Sequence, residues 1–139
     1  MTYRHSITIP FQDIDAAGIV FFAHLFRYAH ETYEHFMSHI DHSLAQILRQ
    51  GDYLLPLVHA EADYYQPLRL NQAITIELKV SRLGNSAFTL QFDFIDENNR
   101  LHASAQTVHA VLDKKTQSKT SIPASLRSAL EAHVDEAVN

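Results

Sequence analysis

Two carboxylates, Asp13 and Asp15, precede a small-small-Gly step and a run of large apolar side chains in "FQDIDAAGIVFF", residues 11–22. If the apolar run opens a helix, Asp15 lies just upstream of backbone amides, around Val20 to Phe22, that have no intrahelical acceptor. Gly18 supplies backbone freedom at the junction. Amides at a helix N-terminus carry partial positive charge and can hold an oxyanion developing on a bound carbonyl. A carboxylate beside them can attack that carbonyl or activate a water toward it. Carboxylate and amide end together make an acyl-transfer site. The competing reading of Asp15 is an ordinary helix N-cap. Asp13 reads as a solvated loop acid with a supporting role at most.

The remaining titratable groups narrow the chemistry. The chain has ten histidines and no cysteine, which removes disulfides, thiol nucleophiles and zinc-thiolate sites together. "HETYEH" (30–35) looks like a zinc-protease motif, but His30 and His35 are five apart and point about 140° away from each other on a helix. Glu31, His35 and His39 follow an i, i+4, i+8 ladder, yet they fall opposite the apolar stripe of the same helix. No metal site is expected there. His59, in an extended segment beside Glu61, is either a pocket-lining or an interface histidine.

At 139 residues with 46% hydrophobic composition, the chain is sized for one domain with a real core, residues 1–139. A net charge of −5 opposes binding to nucleic acid or an anionic membrane. No apolar run is long enough to span a bilayer, and the N-terminus lacks a secretory signal, so a cytoplasmic protein is expected.

The elements that must position Asp15 follow from periodicity. "YRHSITI" (3–9) alternates as a strand with Tyr3, His5, Ile7 and Ile9 on one side, and Pro10 ends it. From Ile19 to Ile40 the period becomes helical, with Phe22, Phe26, Ala29, Tyr33, Phe36, Met37 and Ile40 on one stripe. A short helix follows over 41–51, capped by Asp41 or Ser43 and stopped by Gly51. The segment 53–65, with Pro56, suits an irregular or edge strand. Residues 74–80 and 88–94 alternate around a "GNS" turn, "DENNR" turns again, and 101–112 forms the last strand. Residues 121–134 form a closing helix. The layout is α+β, an antiparallel five-stranded sheet wrapped around one long helix.

"DIDAAGIVFFAHLFRYAHETYEHF", "LPLVHAEADYYQPLRL" and the strand pattern to residue 112 resemble the hotdog-fold acyl-CoA thioesterases. The closest likeness is to the branch containing the 4-hydroxybenzoyl-CoA thioesterases and the 1,4-dihydroxy-2-naphthoyl-CoA hydrolases. The resemblance implies that Asp15 is the catalytic carboxylate and that the Phe22 N–H polarises the thioester carbonyl, with Gly18 and Val20 lining the substrate site. It implies hydrolysis without cofactor or metal, coenzyme A being part of the substrate. His24 stands where the family often has Asn. The resemblance also places His59 near the acyl pocket and basic residues at strand ends against the nucleotide phosphates, which selects Arg82 and Lys114.

An edge strand over 57–65 fits pairing with a second copy, so a homodimer or homotetramer with active sites at the subunit boundary is expected. The acyl group implied is aromatic, and a short or medium fatty acyl group suits the same apolar helix face. Two other readings keep the fold: a dehydratase of hydroxyacyl thioesters, which needs a histidine this chain does not supply convincingly, and an acyl-CoA binding module without turnover.

Overall fold

The structure is a computed structural model and describes residues 1–134. Strand β1 (Tyr3–Thr8) is followed by a 3-10 turn (Phe11–Asp13), the long helix α1 (His24–His39) and the short helix α2 (Leu44–Gln50). Then come β2 (Tyr53–Leu54), β3 (Leu57–Tyr64), β4 (Ala73–Leu83), β5 (Ala87–Asp96), β6 (Leu101–Ala110), β7 (Leu112–Asp113) and helix α3 (Ala124–Glu131). The main sheet runs β1-β4-β5-β6-β3, antiparallel throughout, and β2 pairs with β7 in a small second sheet. This is the expected five-stranded α+β architecture.

Strict alternation decides which sheet face is covered. Ile74, Ile76, Leu78 and Val80 on β4 and Phe88, Leu90, Phe92 and Phe94 on β5 are all buried, with half-exposed residues between them. Register pairs Ile76 with Phe94 and Leu78 with Phe92. Helix α1 lies against this face through Leu25, Tyr28, Ala29, Thr32, Tyr33, Phe36 and Met37. Each large apolar side chain withdrawn from water here contributes roughly 1.5–3 kcal/mol. Shifts of register at Val80/Arg82, Phe94/Ile95 and Leu57/His59 bend the strands as bulges do.

Helix boundaries differ from the periodic reading at two places. Ile19 and Val20, expected to open the helix, belong instead to a tight antiparallel turn over 14–20: Asp15 N–H donates to Ile19 O at 2.8 Å, and Val20 N–H donates to Leu68 O at 2.8 Å. Their backbone groups are engaged in β-type pairing, so α1 begins only at His24. The buried stripe is correspondingly rotated toward Leu25, Tyr28 and Thr32, leaving Phe22 and Phe26 exposed. At the C-terminus, Pro123 occupies the N-cap position and delays α3 to Ala124. Ser43, rather than Asp41, caps α2 by accepting from Gln46 N–H at 3.2 Å, and Gly51 ends it.

Both edges of the sheet are open, at β1 and β3. Strand β3 is exposed along almost its whole length, including Leu57, Val58 and Tyr64. No helix among the described residues is long and apolar enough to cross a membrane.

Candidate active site

The turn between β1 and α1 is built around Asp13, which is only 3% exposed. Its Oδ2 accepts from the Tyr28 hydroxyl at 2.5 Å and from the Arg27 guanidinium, while His24 Nε2 lies 3.9 Å from Oδ1. Burial alone would raise the Asp13 pKa, but hydrogen bonds from Tyr28 and Arg27 outweigh it and hold the carboxyl below its ordinary value. Asp13 is therefore a buried anionic anchor, which corrects its reading as a solvated loop acid. The Asp13 carbonyl also accepts from Phe21 N–H at 3.0 Å, tying the anchor to the backbone that leads into α1.

Asp15 is half-buried and does not cap the helix; the N-cap residue is Ala23. Its Oδ1 accepts from Ala17 N–H at 2.8 Å and from Ile19 N–H at 3.4 Å, closing a local turn. Oδ2 has no hydrogen-bond partner among the described residues. One oxygen thus holds the loop and the other is available. Gly18 closes the turn at φ +81° with its N–H donating to Asp15 O at 3.0 Å. A Cβ there would meet nothing within 4 Å, so the constraint is conformational rather than steric. Gly18→Ala should cost about 1 kcal/mol of stability, read as a small fall in the thermal midpoint.

The amides around the helix entrance are not equivalent. Val20 N–H is taken by Leu68 and Phe21 N–H by Asp13, whereas Phe22 N–H donates to no acceptor among the described residues. The Phe22 carbonyl is held by the Tyr64 hydroxyl at 2.6 Å. That bond orients the Phe22 peptide at the positive end of a 16-residue helix. A cleft of about 350 Å³ adjoins it, lined by Ile19, Val20, Phe22 and the Tyr64–Leu68 segment. Asp15 is not part of that lining, but its backbone N–H is bonded to Ile19, which is. A carbonyl in this cleft can accept from Phe22 N–H, with the Asp15 turn as its neighbour.

The other expected site residues are dispersed. His59 is exposed on β3 and lies 3.5 Å from Glu61, outside both apolar cavities of this chain. Lys114 is exposed, but its ammonium is engaged: Nζ donates to Leu48 O at 2.9 Å and Gly51 O at 3.5 Å, capping the C-terminal end of α2. Arg82 is exposed and without a polar partner among the described residues. Both cations lie at the end of the sheet marked by Leu83, Ala87 and Ala110, opposite the end where β1 runs into the Asp15 turn. Glu31, His35 and His39 do not act together. His5 joins Glu31 and His35 instead, with ligand atoms all within 4.8 Å of one another. The His5 and His35 rings stack 23° from parallel, with their centroids 4.3 Å apart.

Two groups at the cleft escaped the sequence reading. Tyr64 was visible only as part of an edge segment, and its bond to Phe22 spans 42 residues. His102 is buried, with Nε2 2.8 Å from Asp96 Oδ2 and Nδ1 3.0 Å from Pro67 O. Its own carbonyl accepts from Tyr65 and Gln66 N–H. This residue fixes the Tyr65–Pro67 wall, and its place on the outer side of an alternating strand gave no hint of burial.

Fold and site together define a hotdog-type thioesterase scaffold, and the chain belongs to the Thioesterase-like superfamily, which it matches over residues 9–130. Among its relatives, the 1,4-dihydroxy-2-naphthoyl-CoA hydrolase of Crocosphaera subtropica is 35% identical over 98% of this chain and 99% of its own. That of Synechococcus elongatus is 34% identical over 96% and 98%. The crystal structure of a 1,4-dihydroxy-2-naphthoyl-CoA thioesterase from Synechocystis superposes with a TM-score of 0.87 at 28% identity, covering 94% of this chain and 96% of that one.

Proposed function

We propose that the protein hydrolyses an aromatic acyl-CoA thioester, of the 1,4-dihydroxy-2-naphthoyl-CoA type, to the free acid and coenzyme A. The observation that carries the reading is the Phe22 amide, unpartnered and clamped by Tyr64 at the start of α1, beside a carboxylate with one oxygen free. The thioester oxygen accepts from Phe22 N–H, where negative charge grows as the carbonyl is attacked. Asp15 either attacks the carbonyl carbon, giving a mixed anhydride that water hydrolyses once the thiolate has left, or takes the proton of an attacking water. The coenzyme A thiolate then leaves with little acid help, because a thiol pKa near ~8.5 makes it a fair leaving group. Every role falls to the chain's own groups, so no cofactor enters the route. The relatives' names support the aromatic acyl group, and a protein acting in the cytoplasm is consistent with a coenzyme A substrate.

The same reading calls for a homodimer. Within one chain, Arg82 lies at the sheet end opposite Asp15. Strands β4 and β5 are 11 and 10 residues long, a span of roughly 30 Å at ~3.3 Å per residue. Antiparallel pairing of two β3 edges about a two-fold axis brings the Arg82 end of one copy to the Asp15 end of the other. Phosphates of coenzyme A bound at Asp15 then meet the second copy's Arg82. Arg82→Ala should raise KM for acyl-CoA several-fold, with the difference shrinking as salt rises. Lys114→Ala should lower the thermal midpoint while leaving KM nearly unchanged, since its ammonium is already committed to α2.

The test of the function is thiol release from a panel of coenzyme A esters by the purified protein. Preference for aroyl over straight-chain acyl groups is expected. Turnover of fatty acyl esters alone would contradict the aromatic assignment, and turnover of none would leave a binding module.

A further inference from the structure

Strand β1 forms an open edge of the sheet, and its alternation turns Tyr3, His5 and Ile7 inward while Arg4, Ser6 and Thr8 face solvent. The inward row meets the second half of α1. Tyr3 packs on Phe36 with ring centroids 5.6 Å apart, and His5 stacks on His35 at 4.3 Å. Glu31, one helical turn before His35, brings Oε2 to 3.8 Å from His5 Nε2. A nitrogen from each imidazole and a carboxylate oxygen of Glu31 all lie within 4.8 Å of one another. No other three His, Cys, Asp or Glu side chains gather in this way among the described residues.

Two imidazoles and one carboxylate are a donor set for a divalent first-row transition ion such as Zn²⁺. Ca²⁺ and Mg²⁺ demand oxygen donors and are poorly served by it. Donors ~2.0–2.1 Å from one tetrahedral ion stand about 3.3 Å apart, so the present spacing closes onto an ion through side-chain movements of about an ångström. The donors are placed to make that movement. His5 is half-buried and fixed on the sheet, whereas Glu31 and His35 are exposed and, at i and i+4, share one face of α1. Their exposure leaves the fourth position open to water. His35 is 11 residues beyond His24, the first residue of α1, which puts it about 16 Å along the helix from the Phe22 amide end.

We propose that His5, Glu31 and His35 bind a divalent transition ion of the Zn²⁺ type, which clasps the open edge strand β1 to α1 at a site separate from the hydrolytic one. The ladder of Glu31, His35 and His39 along the helix offers donors from one element only; β1 completes the set through His5. His39 stands outside it, against the Tyr3 ring at 5.0 Å. An ion held by two elements binds the folded chain and not the unfolded one, so its binding free energy adds to stability. The inference is independent of the thioesterase reading, since no step of hydrolysis passes through these residues.

Calorimetric titration of the untagged, chelator-treated protein with Zn²⁺, paired with thermal melting, tests the proposal without requiring turnover. One ion per chain should bind with a Kd of about 10 μM or tighter, and at about 100-fold that concentration the thermal midpoint should rise by several degrees. Mg²⁺ should do neither. His35→Gln should weaken Zn²⁺ binding by more than about tenfold, since even an outer partner of a metal ligand is worth about 10–100-fold, and should abolish the rise in midpoint. Its metal-free midpoint should stay close to that of the wild type, because the side chain is exposed. His30→Gln, which alters an exposed histidine of the same helix outside the set, should bind Zn²⁺ as the wild type does. Absence of binding, affinity that survives His35→Gln, or an equal loss in His30→Gln would each overturn the proposal, the last by showing indiscriminate chelation by surface histidines.

Discussion

Asp15→Asn is expected to lower kcat by about 10³-fold or more, within the range that a positioned acid–base or nucleophilic carboxylate supplies, equivalent to about 4 kcal/mol of transition-state stabilisation. The substitution is well suited to the geometry. The carboxylate holds its loop through Oδ1, which accepts from Ala17 and Ile19 amides, and an asparagine carbonyl oxygen can keep both bonds. Only the charge and the nucleophilic lone pairs at Oδ2 are lost. Affinity for acyl-CoA and the thermal midpoint should therefore change little. Quench-flow with an aroyl-CoA would reveal an acyl-enzyme burst if Asp15 attacks directly and a single hydrolytic phase if it activates water. A variant that retained more than about a tenth of wild-type turnover would remove Asp15 from the chemistry.

The second large effect is on stability, at Asp13. Asp13→Ala leaves the buried Tyr28 hydroxyl without its acceptor and the Arg27 guanidinium without its partner. The expected loss is about 2–4 kcal/mol, a fall of roughly 10 °C in thermal midpoint. Asp13→Asn should cost less, because an amide oxygen can still accept from Tyr28. The pH dependence has a definite sign. The folded carboxyl titrates below its unfolded value near ~3.9, so its contribution is complete above that value and is lost as pH falls through the folded pKa. The wild type should lose stability on acidification below about pH 4. In Asp13→Asn that acid-sensitive component should be missing. Identical acid melting curves for the two proteins would show that Asp13 contributes nothing as an anion.

These two acids show where reading along a chain succeeds and where it stops. Period-two alternation placed β4, β5 and β6 within a few residues, because one covered face and one half-exposed face leave their mark on every second side chain. The edge character of β3 was legible from Pro56 and from polar residues on both sides. The helix start expected at Ile19 comes later, at His24, since the apolar run fits a helical start and the pairing of Ile19 and Val20 with Arg69 and Leu68 that displaces it is some 50 residues away. Asp13 was misjudged for the same reason. Its partners Arg27 and Tyr28 lie on the first turns of α1, and nothing local distinguishes a solvated acid from a buried one. Lys114 is the converse: a lysine in a basic turn looks available for phosphate until the fold sets α2 carbonyls in its reach. The stacking of Tyr33 on His109 was beyond reach from spacing, because it joins helix α1 to strand β6 across 76 positions.

The proposed hydrolysis stands on the Phe22 amide receiving the thioester oxygen. The most direct measurement is a crystal structure of the Asp15→Asn protein with an aroyl-CoA bound. The carbonyl oxygen should lie about 3 Å from Phe22 N, with the residue-15 side chain facing the carbonyl carbon. A thioester bound with its oxygen directed elsewhere, and the Phe22 N–H left to solvent, would contradict it.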